Sequence, residues 1–478
     1  MSFHQPPPGA APDDDYPTMR SRKLRLILPL TVAFAFMMEQ LDSTIITTAI
    51  PDIARSLGTT PLQMNLAITG YILSLAVFIP LSGWFADRFG ARHVFAAALA
   101  MFTVTSGLCG QSQTLLHMVA MRMLQGFSGA MMTPVGRLIL LRAFPRSQLL
   151  TAMTYMSIPV VIGPTAGPLV GGLITTYASW RWLFYVNIPL GLIGIVLALR
   201  YVENTRLATP PPFDVVGFII CGSALAAAQL AIEAVGHAVL PGLATLALFV
   251  AAALLFALYA RHARRRPNPV IDLALFANRT FRVSTLVGGL CRTGANAVPF
   301  MLPLMLQVGF GLSPIQSGSL TFIISLGALA VRPATKSVLS AWGFRRLLII
   351  NAIVTAAVIA AFALLQRTTP HIVVFALAAV FGIARGTQFL ATNTLTFSEM
   401  PAALLSRATS LAGVIQQLTI SFGVAASAAL LSLAAGSRAL PSVADFHLVF
   451  VLVALVTLAS APGFLLLQRG AGAQVTGR

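Results

Sequence analysis

Glu39 and Asp42 stand three residues apart in an otherwise apolar stretch. On a helix that spacing sets them roughly 60° apart, on one face. A charge at bilayer depth costs about 2.5–3.5 kcal/mol on insertion scales, so two acids on one helix need a cause. One cause is reversible protonation. Burial favours the neutral acid and a neighbouring guanidinium favours the carboxylate, a balance that suits a proton carrier facing a central cavity. The other cause is a fixed ion pair, Asp42 with Arg122, holding the first apolar span against the fourth. Both readings stand for Asp42, and for Glu39.

Further cations fall inside apolar spans. Arg137 and Lys336 are expected to snorkel to the headgroups. Arg292 with Asn296 four residues on, Arg332, and Arg385 with Gln388 three on have no acid in their own spans. Facing a cavity they suit an anionic substrate; otherwise they pair with helix-end carbonyls across the bundle. Asp87, Arg88 and Arg92 form a charged turn, either a gate closed by salt bridges or a solvated helix cap. Small residues at Gly163, Gly167 and Gly171, with Gly172 beside them, make a small-x-x-x-small stripe for close packing between halves. Pro159, Pro164 and Pro168 bend the helix that carries it. Phe34, Phe36, Met37, Met38, Tyr71, Met131, Met132, Phe300 and Met305 could line an adaptable apolar site, although each taken singly reads as lipid-facing or core.

These residues need a scaffold, and composition names it. The chain has 478 residues, 57% hydrophobic and 9% charged. Soluble domains carry about 25% charged residues, so a soluble enzyme, a disordered chain and a secreted disulfide scaffold are excluded. Cys109, Cys221 and Cys291 sit singly in apolar stretches and read as packing residues. The first apolar stretch, 26–50, is too long for a cleavable signal. Spans of about 20 apolar residues fall near 26–50, 65–86, 94–111, 115–140, 149–174 and 182–199, then 215–235 and 239–260. Six more follow near 281–306, 315–338, 347–365, 371–396, 403–434 and 447–467. The expectation is an all-α polytopic membrane protein of about fourteen transmembrane helices.

The net charge of +18 resolves into topology. With the N-terminus inside, 21 of the 31 Lys and Arg fall on inner tails and loops, and only Arg55, Arg181, Arg367 and Arg438 fall outside. That split places both termini in the cytoplasm and makes the basicity a lipid-facing feature, not a nucleic-acid footprint. The expected organisation is a disordered cytoplasmic tail over 1–24, a six-helix bundle over 25–200, a linker with two transmembrane helices over 201–280, a second six-helix bundle over 281–468, and a cytoplasmic tail over 469–478. The halves echo each other: Gly90-Ala91-Arg92-His93 against Gly343-Phe344-Arg345-Arg346, Arg122 with Gly126 against Arg385-Gly386, and Pro145 with Leu149-Leu150-Thr151-Ala152 against Pro401 with Leu404-Leu405-Ser406-Arg407. Duplicated bundles with substrate bound between them near the midplane are what alternating access requires.

Five motifs in order carry a family resemblance. Gly83-Trp84-Phe85-Ala86-Asp87-Arg88-Phe89-Gly90-Ala91-Arg92 resembles the cytoplasmic loop signature of the major facilitator superfamily. Residues 41–51, beginning Leu41-Asp42-Ser43-Thr44, resemble the first-helix motif of its fourteen-helix drug:proton antiporter branch. Arg122-Met123-Leu124-Gln125-Gly126 resembles the fourth-helix motif. Residues 163–172, with Gly163-Pro164-Thr165-Ala166-Gly167-Pro168, resemble the fifth-helix antiporter motif, and Trp180-Arg181-Trp182 through Asn187-Ile188-Pro189 the start of the sixth helix. The likeness covers nearly the whole chain and reaches the multidrug-resistance transporters of enteric bacteria. Glu39 departs from relatives that are often uncharged there, and Ala91 and His93 stand where basic residues are common. The second copy of the loop has Ala341-Trp342 and no acid, which weakens a second gate.

The resemblance implies the major facilitator fold, gating by Asp87, Arg88 and Arg92, a role for Arg122 in proton coupling, and a leak-blocking role for the fifth-helix stripe. The expected function is proton-coupled efflux of drugs or toxic amphipathic small molecules across a bacterial inner membrane, by an antiporter acting as a monomer. A second reading is export of organic anions such as citrate or a metal–citrate complex, resting on Arg292, Arg332 and Arg385. A third, of another class, is a non-transporting membrane sensor or scaffold. Nothing resembles a Walker A loop, a zinc site or a nucleophile triad, so no enzyme activity, resident metal or cofactor beyond the proton is expected.

Overall fold

Inside a bilayer a bare backbone has no water to bond, so apolar segments of spanning length close their own amide ladders as helices. In the computed structural model the described residues are 21–46, 49–237, 241–436, 438 and 440–476. Residues 1–20, Thr47 and Thr48 lie outside them, as do the side chains of Pro159, Gly163, Pro164, Pro168, Gly172 and Lys336.

The first half comprises α1 (Arg22–Ile45), α2 (Pro61–Phe78), α3 (Leu81–Phe89), α4 (Ala91–Gly110), α5 (Leu115–Ala143), α6 (Leu149–Tyr177) and α7 (Asn187–Tyr201). Two linker helices follow, α8 (Val215–His237) and α9 (Gly242–Ala263). The second half contains α10 (Gly288–Leu304), α11 (Pro314–Ala330), α12 (Arg332–Phe362), α13 (His371–Ser398), α14 (Leu405–Ala435) and α15 (Val443–Gly463). Among the described residues, ten helical stretches are long and apolar enough to cross a membrane, or eleven when the α2–α3 pair, bent by 60°, counts as one. Helices α5, α6 and α10 occupy the other expected spans. Of these, α5 and α10 carry Arg122, Gln125 and Arg137, and Arg292 and Asn296, whose polarity lowers their hydropathy.

Two glycines confirm the internal repeat in the backbone itself. Gly90 joins α3 to α4 at φ +91°, and Gly343, its counterpart, breaks α12 at φ +73°. Both lie where only glycine escapes a Cβ clash. At each, the chain turns from one span to the next.

The apolar core shows how the halves meet. One cluster is shared between them, joining Phe95, Phe102 and Leu138 to Phe344, Leu348, Leu395, Phe397 and Leu411. It lies at the end that carries Arg88, Arg142, Arg146, Arg345 and Arg407, called here the basic end. Toward the opposite end the core divides into one cluster around Ile53, Trp180 and Phe184 and another around Met301, Phe362 and Phe450. The halves are therefore packed together at the basic end. Around the outside, α9 presents Leu243, Leu246, Val250 and Leu254 to the surroundings, as a lipid-facing helix must.

The expected N-terminal tail needs correction. Helix α1 already begins at Arg22, inside the segment read as disordered. The C-terminal segment docks on the basic end: Val475 and Ala471 are buried, the Gly472 N–H donates to Glu399 at 3.0 Å, and Arg146 of the first half donates to Gln474. An apolar Val among small residues gave that short segment a reason to pack.

Candidate functional site

Asp42 is buried, and its carboxylate is fully engaged. Arg122 of α5 donates to Oδ2. Gln125, one turn further along α5, donates to Oδ1 at 2.9 Å and also accepts from Arg122 at 2.8 Å. Asn187 at the start of α7 adds a third donor at 3.2 Å and bridges to Ser106 of α4 at 3.0 Å. The guanidinium of Arg122 lies over the Tyr71 ring, 4.3 Å from its centroid, while its Nε and Nη2 have no partner. Donors from two helices of the same half, α5 and α7, thus converge on the Asp42 carboxylate. Asp42 lines neither central cavity, which corrects the expectation that it faces one: Glu39 and Gln40 turn that way, and Asp42 turns inward.

Glu39 occupies the surface between the halves. Its carboxylate accepts a hydrogen bond from Thr133 of α5 at 2.6 Å. It lines a cavity of about 60 Å³ with Phe36, Thr133, Arg137 and, across the interface, Phe389, Gln416 and Gln417. A larger cavity of about 160 Å³ adjoins it, sharing Gln40, Phe389, Gln416 and Ile420. Arg292, Asn296, Arg385 and Gln388 line that larger space, so four residues singled out from sequence meet in one place. Arg385 donates to Asn296 at 3.3 Å, and Arg292 lies over the Phe389 ring at 5.6 Å. Asn351 of α12 orients Gln388 by donating to its amide oxygen at 2.8 Å.

Other expected residues lie elsewhere. Arg332 donates to the carbonyls of Ala328 and, across the halves, Thr154; it is a carbonyl-bound link, not a cavity wall. Met38 is fully buried in the core, because two residues along a helix rotate it some 200° from Phe36. Met131 and Met132 are core as well. Arg137 does not snorkel: it is buried and donates to Gln416 of the second half at 3.1 Å. At Gly167 the fifth-helix stripe closes on its own half, where a Cβ would lie 2.0 Å from the Thr44 hydroxyl of α1. Packing between the halves is not what that position serves.

The acid of the charged turn pairs with a different cation from those expected. Asp87 pairs with Arg142 at 3.0 Å, not with Arg88 or Arg92. Arg88 points outward and is exposed, and Arg92 is half-buried with its Nε unpartnered. From the second half, Ser406 donates to Asp87 at 2.6 Å, and Ser410 meets the Ser82 hydroxyl and the Gly83 N–H, both at 2.9 Å. The linker joins in: Trp84 donates to Pro211 at 2.9 Å, and Arg407 pairs with Asp272 at 3.0 Å. Close approach explains Gly83, where a Cβ would meet the Ser406 carbonyl at 2.7 Å.

Sequence reasoning assigned no role to Gln125, Asn187, Thr133, Arg142, Ser406 or Gln416. Gln125 and Asn187 stood inside quoted motifs as polar residues in apolar helices, which was signal enough. Nothing local marked Gln416, and Ser406 stood only inside the repeated segment 404–407; their partners are about 279 and 319 residues away.

Comparison with known proteins agrees with this architecture. The family model described as Major Facilitator Superfamily matches residues 32–424. The chain is 36% identical over 420 residues to a protein of Pectobacterium carotovorum named "Putative multidrug resistance protein MdtD", covering 88% of this chain and 90% of that one. A Klebsiella pneumoniae protein of the same name is 37% identical over 425 residues, with 88% and 89% coverage. Among solved structures, the human organic anion transporter MFSD10 (TETRAN) superposes with a TM-score of 0.67 at 14% identity, covering 93% of this chain and 99% of that one. The proton:xylose symporter XylE superposes with a TM-score of 0.65 at 12% identity, covering 92% and 95%. Identities that low speak to the fold alone.

Proposed function

Because this chain belongs to the major facilitator superfamily, we propose that it is a secondary transporter that expels drugs and other toxic amphipathic small molecules by alternating access, in exchange for protons. It is a multi-pass membrane protein and not an enzyme. We place it in a bacterial inner membrane as a monomer, with both termini and the basic end in the cytoplasm. One observation carries the reading: two adjoining cavities lie between six-helix halves that are packed together at the basic end, with Glu39 on the wall of the smaller and the Asp42–Arg122 pair behind it. In this conformation the cavities are closed off at the basic end.

The drive is sufficient. Each proton crossing 100 mV supplies about 2.3 kcal/mol, enough for roughly a fifty-fold substrate gradient. Aromatic and aliphatic surface from Phe36, Phe389 and Ile420 suits an apolar body, while Glu39, Gln40 and Gln416 supply polar contacts. A second reading, export of organic anions, draws on Arg292 and Arg385, which line the adjoining larger cavity; the curated relatives favour the first. The test is purified protein in proteoliposomes under an imposed pH gradient, scored for efflux of cationic dyes and of carboxylates and for proton release. Dye efflux that stops with the gradient and in Asp42→Asn supports the proposal. Dye efflux unchanged by either defeats it, and proton-linked flux of carboxylates alone selects the second reading.

A further inference from the structure

Arg137 is a buried cation whose partners do not match its charge. Its side chain, on α5, donates from Nη2 to Gln416 on α14 at 3.1 Å and lies over the Phe397 ring of α13 at 5.6 Å. Both contacts cross to the second half. Its Nε and Nη1 have no partner. A buried guanidinium with two idle N–H groups and no carboxylate is costly. One acid shares its cavity, Glu39, which is held instead by the Thr133 hydroxyl. The other charges facing this pair are Asp42 on α1 and Arg292 on α10. Asp42 is already committed to Arg122, and Arg292 is of like sign. In the closed arrangement of the basic end, then, Glu39 and Arg137 stand in one cavity without forming an ion pair.

We propose that Arg137 is the residue that links the proton on Glu39 to the gate, by exchanging partners between Gln416 of the second half and the carboxylate of Glu39. This deepens the proton-exchange reading above and rests on it. With the basic end closed, Arg137 is held by Gln416 and Phe397 and Glu39 by the Thr133 hydroxyl, with no ion pair between them; in the proposed cycle this is the state in which Glu39 carries its proton. When the halves part at that end, Gln416 and Phe397 withdraw. Arg137 then turns to Glu39, the carboxylate forms, and the proton leaves toward the cytoplasm. Reclosure returns Arg137 to Gln416 and leaves Glu39 to take a proton from the other side. That order, a proton taken up outside and given up inside, is the one antiport needs. Arg137 is thus a positioning residue for the coupling step.

The experiment reads conformation, so it needs no known substrate. Spin labels on cysteines replacing exposed His93 and Ala403, one on each half at the basic end, report the separation of the halves by pulsed electron resonance between pH 5 and 9. The three native cysteines are buried. In the parent, the separated population should rise with pH. Glu39→Gln should abolish that rise. Arg137→Gln should shift the midpoint upward by about one pH unit or more, since a neighbouring opposite charge is worth about 1–3 units to a carboxyl. Gln416→Ala, which leaves both charged residues in place, should shift it downward. A midpoint unchanged in both Arg137→Gln and Gln416→Ala, with the parent still responding to pH, overturns the proposal and reduces Arg137 to a staple. A pH response that survives Glu39→Gln overturns it too. Absence of dye efflux alongside the expected shifts would instead count against drug export while upholding the switch.

Discussion

The Ser406 hydroxyl donates to the Asp87 carboxylate at 2.6 Å, joining residues 319 positions apart and belonging to opposite halves. Because Arg142 holds the other carboxylate oxygen at 3.0 Å, Asp87 is anchored in its own half while it grips the other. Removing Asp87 therefore loosens the gate from both sides. A hydrogen bond to a charged group contributes about 1.5–3 kcal/mol, a tenfold or greater change in the closed population. In Asp87→Ala, a cysteine replacing cavity-lining Ile420 should become reachable by an impermeant maleimide from the basic end. Ser406→Ala should show a smaller effect in the same assay.

The buried pair of Asp42 and Arg122 predicts an asymmetric mutational pattern. Breaking such a pair on one side strands a charge and costs about 3–5 kcal/mol. Arg122→Ala should lower the thermal midpoint in detergent sharply, whereas the double change Asp42→Asn with Arg122→Gln should recover most of it. Proton-driven flux should stay absent in both. Recovery of flux together with stability would show the pair to be purely structural.

Glycines separate by what surrounds them. At Gly167 an added methyl overlaps Thr44 of α1, whereas at Gly318 nothing lies within 4 Å. Gly318→Ala should be neutral or stabilising by up to about 1 kcal/mol through backbone entropy. Gly167→Ala should cost about 1–3 kcal/mol through overpacking, seen as lower yield of monodisperse protein and a lower thermal midpoint.

The docked C-terminal segment predicts a role in closure. Val475 is 2% exposed, and full burial of such a side chain contributes about 1.5–3 kcal/mol. Val475→Ser should release the segment from the basic end, raising protease cleavage after residue 468 and increasing maleimide access to position 420. No change in either measurement would leave the segment a passive cover.

The sequence by itself determined the spans, their approximate bounds and the repeat, because hydrophobicity, glycine and charge act locally and a bilayer leaves a helix as the only way to satisfy the backbone. It marked Glu39, Asp42, Arg122, Arg292 and Arg385 for the same reason: a charge in an apolar span is conspicuous wherever it points; Asp87 stood out instead by the charged turn it belongs to. Direction was another matter. That Asp42 turns into its own half while Glu39 meets the second half, that Arg142 takes Asp87 in place of Arg88 or Arg92, and that Arg137 reaches Gln416 in place of the headgroups were decided only by the tertiary packing. Hydrogen bonds and ion pairs act over about 3 Å, and their partners here come from helices 55 to 319 residues apart. No local pattern encodes which of several suitable donors will be brought within that reach.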